Sequence, residues 1–404
     1  MSEHTFRAAG YPWRLYSGHQ VIEQSLAEAT DRAGAKRAFV VCSPSVNRRT
    51  DTVRRIEAVL GIRYAGVFDG IEKDSTYASV RAAKEAAIAS GADLLIAVGG
   101  GSVIVATRAV AIFMAEPGDP FQLMTQYPEG KPAYSPRLLA PKPPIINIPT
   151  TPNSAMNRAG TGLKNPDLDQ RMEYFDPKTR PHSIFFDDQA LLTAPPDLIR
   201  STATTVFAGL VGAMAQIEIN PLAEADRDHA FRLAHRAYPR LVDELDNPSL
   251  RVDLCVAAFL RNRAEDDGIG RLRDDVFSGN YAVSTALHVR YPHVGQGEST
   301  SVIHATKIRL SGVIDPRPAR QVAEALGVWH DNMDARQAAL AVADMLDALY
   351  ARIGVPTRLR QLDISRSDLR DIANETVKNF NANAGVRSAA DQIETALRLL
   401  EAAY

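Results

Sequence analysis

The chain has 404 residues, of which 45% are hydrophobic and 23% are charged. This composition is typical of a globular protein with two or three domains and disfavours disordered, collagen-like and coiled-coil proteins. The 46 basic and 48 acidic residues give a net charge of -2, which argues against nucleic-acid binding because no overall basic field is available.

Cysteine content and hydropathy indicate where such a protein would work. Cys42 and Cys255 are too few for a disulfide framework or a thiolate zinc site. The sequence has no apolar run of 18 or more residues and no signal-peptide pattern, so no membrane span is expected. We therefore expect a cytoplasmic protein.

The first half of the chain alternates short β-branched runs with helical patterns, which predicts a parallel sheet with crossover helices. The predicted strands, in chain order, are 38–42, 64–68, 93–98, 144–149 and 183–187. Apolar residues at helical spacing predict helices over about 50–60, 76–90 and 103–114. The polar segment 153–181 is expected to be a loop or a hairpin.

Beyond Pro195-Pro196 the pattern changes to successive helix-length segments with few β-branched runs. The segment 335–353, for example, has the wide apolar face of a helix that packs against its neighbours. The sequence thus predicts an α/β domain over 1–193 and an all-α domain over 194–404.

A glycine-rich turn, Gly99-Gly100-Gly101-Ser102, joins the third predicted strand to a helix. Glycines allow close backbone approach, and a helix N-terminus offers free amides and a positive dipole end, so this turn suits a phosphate group. The residues alone leave a second interpretation open, a tight turn that needs positive φ, because GGGS matches neither GxGxxG nor the Walker sequence.

Four segments, in order along the chain, resemble the iron-containing alcohol dehydrogenase family, which is related to the dehydroquinate synthases. They are AVGGGSVIVATRAVAI around the glycine turn, INIPTTPNS at 146–154, the Pro-Pro-x-Leu lead into the helix near 195, and GVPTRL at 354–359. The resemblance implies an N-terminal Rossmann-like dinucleotide-binding domain, an all-α C-terminal domain and an active site in the cleft between them. Val105 and Arg108 depart from the family turn GGGSxxDxAK.

The same resemblance implies which residues bind NADP or NAD. Gly99, Gly100, Gly101 and Ser102 would meet the pyrophosphate, and Thr150 and Thr151 would line the nicotinamide side. Ser43 stands near the position of an acidic residue that selects against a 2′-phosphate, with Arg48 and Arg49 soon after it. NADP(H) is therefore acceptable, although the two arginines can equally be solvated surface residues.

Members of the family hold a divalent ion with one aspartate, a histidine four residues later and two further histidines. Ungapped alignment places Thr205, Gly209, Ala282 and Gln296 at these positions, and Ala286 at a further family histidine. Because no Asp, Glu or His lies between Leu198 and Ile217, a shift of register does not restore the first pair. We expect that the protein does not bind the family's metal.

Some other group must then assist the reaction. His293, three residues before Gln296, is our first candidate for a proton donor and His288 the second, although each can equally be a surface or structural histidine. Their spacing of five residues does not suit a new metal pair. Gln296 and the polar residues Asn157, Arg158 and Lys164 are candidates for substrate binding, the last three for a carboxylate or phosphate.

These observations favour a metal-independent NAD(P)-dependent oxidoreductase that transfers hydride to or from a small carbonyl, imine or activated alkene, in a biosynthetic or catabolic pathway. Two alternatives remain open: a non-redox lyase or cyclase on the same scaffold, and a catalytically silent binding protein. By resemblance, a homodimer is plausible.

Overall fold

The computed structural model describes residues 6, 8, 10–128, 131–168, 170–266, 276–378 and 389–404. The chain divides into two compact units. The N-terminal unit is Pro12–Pro195, and the C-terminal unit is Pro196–Val377 together with residues 389–404.

The N-terminal unit has the α/β architecture that the sequence predicts. Its strands are β1 (Arg14–Gly18), β2 (Ala38–Cys42), β3 (Tyr64–Phe68), β4 (Leu94–Gly99), β5 (Ile145–Pro149), β6 (Gly160–Leu163), β7 (Met172–Phe175) and β8 (Ser183–Asp187). Its helices are α1 (Val21–Arg32), α2 (Pro44–Arg49), α3 (Thr52–Leu60), α4 (Tyr77–Ala89), α5 (Gly101–Ala115), α6 (Pro120–Leu123) and α7 (Asp188–Leu192).

Six parallel strands of the described residues form one sheet in the order β1-β8-β5-β4-β2-β3. Strand β2 pairs with β3 on one side and β4 on the other, so the strand order reverses between β2 and β4. In open α/β sheets, ligands bind outside the carboxyl ends of the strands at such a reversal. The polar segment 153–181 contains the antiparallel hairpin β6-β7.

The central strands are buried because their apolar residues are covered on both faces. Every residue of β2, β4, β5 and β8 is buried, which explains why they read as continuous apolar runs. Asn147 is a polar residue within the buried strand β5. It is buried as well, and its Nδ2 donates to the Met156 carbonyl at 2.7 Å. The core of this layer includes Ile22, Ile56 and Phe185.

The described part of the C-terminal unit is helical. Its α-helices are α8 (Pro196–Met214), α9 (Pro221–Ala237), α10 (Pro248–Ala264), α11 (Tyr281–Arg290), α12 (Gln296–Leu310), α13 (Pro316–Ala325), α14 (Ala335–Ile353), α15 (Leu369–Glu375) and α16 (Ala389–Ala402). Among the described residues, no helix is both long and apolar enough to cross a membrane.

Local sequence signals set the ends of several of these helices. Asn220 and Asn247 accept hydrogen bonds from the first-turn amides of α9 and α10, and each is followed by a proline at the first helical position. Helix α14 begins with a capping box between Asp334 and Gln337 and ends at Gly354 in the left-handed conformation.

Candidate functional site

The glycine turn leaves β4 and opens helix α5, as predicted. Gly99 has φ +154°, and a Cβ there would lie 2.8 Å from Val103 Cγ2, so only glycine fits without displacement. Gly100 is the N-cap and its carbonyl accepts from the Val103 and Ile104 amides. The first amides of α5 thus point out of the helix, where an anion would meet donors and the positive dipole end.

A loop that the sequence analysis did not single out lies against this turn. Asp74 N donates to Ser102 Oγ at 3.2 Å, and Ser75 Oγ donates to the Ser102 carbonyl at 2.6 Å. Asp74 and Ser75 both have positive φ, 63° and 55°, which is strained for non-glycine residues. Burial raises the pKa of the Asp74 carboxyl, although neighbouring cations including Lys164 oppose the shift. Ser102, in the first turn of α5, therefore also anchors a second segment.

Ser43 follows β2, next to the glycine turn in the sheet, because Cys42 is paired with Val98. Its Oγ lies 3.1 Å from Ser45 Oγ, and its carbonyl accepts from the Val46 amide. Asp69, the residue after β3, accepts from Arg48 Nε at 3.2 Å. The segment after β2 thus has one arginine held by a carboxylate, and no acid at Ser43. The role of Ser43 in cofactor selection stays a prediction.

Thr150 and Thr151 follow β5, on the other side of β4, and both are buried. The Thr150 amide donates to the Gly99 carbonyl at 3.0 Å. Thr151 Oγ1 is buried and has no hydrogen-bond partner among the described residues, and it lies 3.3 Å from where a Cβ on Gly100 would be. A buried hydroxyl that needs a partner, next to a glycine that leaves space, fits a ligand at this turn.

The predicted substrate residues Asn157, Arg158 and Lys164 lie in the same unit, in the segment that contains the hairpin. The Asn157 carbonyl accepts from Arg180 Nη1 at 3.1 Å, and the Lys164 amide donates to the Ser75 carbonyl at 3.3 Å. Lys164 therefore lies beside the Asp74-Ser75 loop. Whether these side chains bind a substrate stays a prediction.

Arg108, one of the two residues that depart from the family turn, has a structural role. It is buried and donates to the carbonyls of Gly160, at 2.5 Å, and Ala155, at 3.0 Å. Burial, with the charges of Arg158 and Arg180, lowers the pKa of Arg108 to about 9. Arg108 thus ties α5 to the polar segment after β5, a structural contact that sequence spacing did not reveal.

In the C-terminal unit, Thr205 and Gly209 lie one turn apart on α8, while Ala282 lies on α11 and Gln296 begins α12. A hydroxyl network joins these last two helices. Ser284 Oγ lies 2.8 Å from Ser299 Oγ and 3.0 Å from Thr300 Oγ1, and the Gln296 carbonyl accepts from Thr300 Oγ1 at 2.8 Å.

The two candidate proton donors differ in environment. His293 is exposed, and its Nε2 donates to the Leu362 carbonyl at 2.9 Å. His288 is buried on α11, and its Nδ1 donates to the Ser284 carbonyl at 2.8 Å. Since a carbonyl only accepts, both ring nitrogens named here carry hydrogen. The role of either histidine stays a prediction.

Two family models match the chain almost end to end. Iron-containing alcohol dehydrogenase matches residues 12–188, and the C-terminal model of the Fe-containing alcohol dehydrogenase family matches residues 202–404. The chain belongs to the iron-containing alcohol dehydrogenase family. The resemblance and the fold class expected from the sequence are therefore confirmed.

Relatives in this family are alcohol dehydrogenase-type oxidoreductases. The chain is 24% identical over 362 residues to the 1,3-propanediol dehydrogenase of Citrobacter freundii, with 88% of each chain covered. It is 28% identical over 255 residues to maleylacetate reductase 2 of Cupriavidus pinatubonensis, covering 63% of this chain and 62% of that one. The sulfoacetaldehyde reductase of Bifidobacterium kashiwanohense, solved in complex with NAD+, superposes with a TM-score of 0.76 at 18% identity, covering 98% and 99%.

The family's name specifies iron, and the residues at the positions that the resemblance assigns to the metal ligands do not fit a metal ion. Gly209 and Ala282 carry no donor atom, and Thr205 and Gln296 are weak ligands. Thr205 Oγ1 already donates to the Ser201 carbonyl, at 3.3 Å. The flexible end of Arg261 lies beside position 209, where a Cβ would be 2.2 Å from its Nη1, so a side chain there would displace the arginine. Across the described residues, no group of three or more His, Cys, Asp or Glu is arranged to hold a metal.

Proposed function

We propose that this family member is a metal-independent NAD(P)-dependent oxidoreductase that reduces or forms a small carbonyl, imine or activated alkene. The observation that carries the proposal is a contrast between the two units. The glycine turn has the backbone geometry that suits a phosphate group, whereas the positions that the resemblance assigns to the metal ligands carry no ligand set.

The dinucleotide would be held by the features at the carboxyl ends of β2, β4 and β5. The α5 amides would bind the pyrophosphate, and Thr151 Oγ1 would gain the hydrogen-bond partner that the described residues do not give it. When bound, the dinucleotide supplies or accepts the hydride. The strand reversal between β2 and β4 supports this placement.

We propose that NADP(H) is accepted as well as NAD(H). Ser43 brings no negative charge to the end of β2, and the exposed Arg48 lies close by. Arg48 is held by Asp69 through its Nε, so its terminal nitrogens remain suited to a phosphate. The side chain is 70% exposed, so its contribution is small compared with that of a buried arginine.

Proton transfer is assigned to His293 first and His288 second. Each can be tested by replacing it with glutamine, which keeps a hydrogen-bond donor but does not titrate near neutral pH. A true proton donor loses the step in its pH–rate profile, whereas a structural histidine changes stability and leaves the profile in place.

The proposal is tested on the purified protein by three measurements. Metal content is measured by mass spectrometry, and NADPH and NADH binding by fluorescence titration. Oxidation of the reduced dinucleotide is then followed with lactaldehyde, maleylacetate and sulfoacetaldehyde, and reduction of the oxidised form with 1,3-propanediol. We expect dinucleotide binding and turnover that chelators do not reduce.

Two results would contradict the proposal. Stoichiometric iron or zinc that is needed for turnover would overturn metal independence. Absence of dinucleotide binding would overturn the oxidoreductase assignment. A dinucleotide that binds and is never oxidised or reduced would instead favour the non-redox lyase or cyclase.

A further inference from the structure

A series of hydrogen bonds joins Arg108 to Thr151 within the N-terminal unit. Arg108 Nη2 donates to the Ala155 carbonyl at 3.0 Å, and the Ala155 amide donates to Asn153 Oδ1 at 3.0 Å. Asn153 Nδ2 then donates to the Thr151 carbonyl at 2.9 Å. The side chains of Arg108, Asn153 and Thr151 are all buried, so none of them can exchange these partners for water without a cost.

The series ends at the glycine turn. Thr151 Oγ1 is buried and without a hydrogen-bond partner among the described residues, and it lies 3.3 Å from where a Cβ on Gly100 would be. The Asn153 Cβ lies 3.7 Å from where a Cβ on Gly101 would be. Thr151 and Asn153 therefore both lie beside the start of α5. The direction of the Thr151 hydroxyl depends on its backbone, which Asn153 holds.

The Arg108 guanidinium holds both ends of the segment 155–160. Its Nη1 donates to the Gly160 carbonyl at 2.5 Å while its Nη2 donates to the Ala155 carbonyl. A guanidinium is a rigid fork and can bind two carbonyls at once, whereas lysine, which the family turn has at this position, carries a single nitrogen. Since Arg108 is part of α5, it fixes this segment to the helix that begins at the glycine turn.

We propose that Arg108 and Asn153 are positioning residues that hold Thr151 so that its hydroxyl contacts a dinucleotide at the glycine turn. This inference rests on the proposed function and extends it to two residues that need not contact the ligand. Asn153 acts through the Thr151 backbone, and Arg108 acts through Ala155 and Asn153. A binding site loses affinity when the residues that support its contact groups are left loose.

A double-mutant cycle separates positioning from general destabilisation. The affinities for NADPH and NADH are measured by fluorescence titration. Thr151→Val removes the hydroxyl and keeps the shape, and the loss of one hydrogen bond corresponds to about three- to tenfold in Kd. We expect Asn153→Ala to weaken binding by a similar factor in the wild-type protein. In the Thr151→Val background it should weaken binding by less than about twofold, because the contact is already lost.

The cycle can contradict the proposal in two ways. Asn153→Ala may be measured to leave dinucleotide affinity unchanged in the wild-type protein, which would overturn the assignment. Equal weakening in the wild-type and Thr151→Val backgrounds would also overturn it, because Asn153 would then act independently of the hydroxyl.

Arg108 is tested with two replacements and a matched control. Arg108→Met removes both hydrogen bonds to the segment 155–160, so we expect about three- to tenfold weaker binding, and Arg108→Lys should be intermediate because it keeps the charge and one donor group. Thr179→Val is the control, since Thr179 Oγ1 donates to the Ala159 carbonyl of the same segment, at 3.3 Å, outside the series that ends at Thr151. It should lower stability and leave affinity within about twofold. Equal losses of affinity in Thr179→Val and Arg108→Met would overturn the role of Arg108.

A second measurement needs no dinucleotide. The nuclear magnetic resonance signal of the Thr151 Cγ2 methyl group reports the rotamer and surroundings of that side chain. We expect the signal to shift or broaden in Arg108→Met and Asn153→Ala and to stay in place in Thr179→Val. If neither NADPH nor NADH binds the wild-type protein, the proposed function fails, and the methyl signal still tests the positioning of Thr151. An unchanged signal in both Arg108→Met and Asn153→Ala would overturn it.

Discussion

Gly297, near the start of α12, packs directly on the backbone of Ser201 in α8. A Cβ on Gly297 would lie 2.0 Å from the Ser201 carbonyl oxygen and 2.6 Å from its Cα, and the Gly297 amide donates to Ser201 Oγ at 3.2 Å. Ser201 Oγ in turn donates to Glu298 Oε2 at 2.6 Å. This contact sets the distance between the helices that carry Thr205, Gly209 and Gln296.

Gly297→Ala is therefore expected to destabilise the C-terminal unit. The added methyl meets backbone atoms, which cannot rotate away as a side chain can, so the helices must separate. We expect a loss of about 1–3 kcal/mol or more in the free energy of unfolding, measured with urea. Gly312→Ala is the matched control, because its Cβ would meet no atom within 4 Å, and it should change stability little. Equal stability of the two variants would contradict the packing described here.

Gly99→Ala tests the glycine turn by combining backbone strain with a clash against Val103. We expect it to lower stability and to weaken NADPH and NADH binding at least tenfold, because the amides of α5 must shift. Gly118→Ala separates the two effects, since Gly118 also has positive φ, at +131°, but open space around it. Strain alone should cost about 1–3 kcal/mol and leave dinucleotide affinity unchanged. Equal loss of affinity in both variants would argue against a phosphate at the turn.

Much of the N-terminal fold could be predicted because buried parallel strands are continuous apolar runs. Strand β1 and helix α1 were not predicted, and both lack the usual signals. Strand β1 lies at the sheet edge and reads RLYSG, with its first residue exposed. Helix α1 follows Gln20, which has φ 52° and makes no side-chain capping hydrogen bond, so the sequence has no N-cap residue that would predict the start of the helix. The predicted helix over about 50–60 corresponds to α3, Thr52–Leu60, whereas the short helix α2 before it, Pro44–Arg49, was not predicted.

The candidate site could be predicted only where its residues are consecutive in the sequence. The glycine turn and the Thr-Thr pair are such segments. Contacts between residues that are far apart in the sequence could not be predicted from residue spacing. Asp74 contacts Ser102, 28 residues away, and Arg261 contacts Gly209 because helices α10 and α8 pack together. The sequence shows that Gly209 has no side chain to bind a ligand, but only the structure shows that the Arg261 side chain lies beside it.

His304 should make stability depend on pH in the mildly acidic range. It is fully buried, its Nε2 donates to the Phe277 carbonyl and its Nδ1 accepts from the Tyr350 hydroxyl, each at 2.7 Å. Burial lowers the pKa of His304 to about 4, from 6.5. The unfolded chain therefore binds a proton at this residue before the folded chain does, so stability falls as pH drops from about 6.5 to about 4.

The expected contribution of His304 is a loss of about 3 kcal/mol over that interval, from roughly 1.4 kcal/mol per pH unit. Urea unfolding at pH 6.5 and pH 4.0 measures it. Carboxylates such as Asp176 and Glu23, whose pKa values are lowered by cationic neighbours, change stability in the same direction, so the test is a difference between proteins. His304→Gln should be less stable at pH 6.5 but show a shallower decline. Parallel declines in both proteins would mean that His304 is not the source.

Ser43→Asp tests cofactor preference at the end of β2. An aspartate there would repel a 2′-phosphate, and repulsion of about 1–3 kcal/mol corresponds to roughly 10- to 100-fold in Kd. We expect NADPH affinity to fall by this factor while NADH affinity stays within about threefold, as measured by fluorescence titration. Ser43→Asn is the matched control, because it has nearly the same shape without the charge and should weaken NADPH far less. Repeating the titration at higher salt should narrow the difference, since exposed charges are screened. If the aspartate weakened NADH as much as NADPH, Ser43 would not lie beside the 2′ position, and the preference would have to be set by another segment of the N-terminal unit.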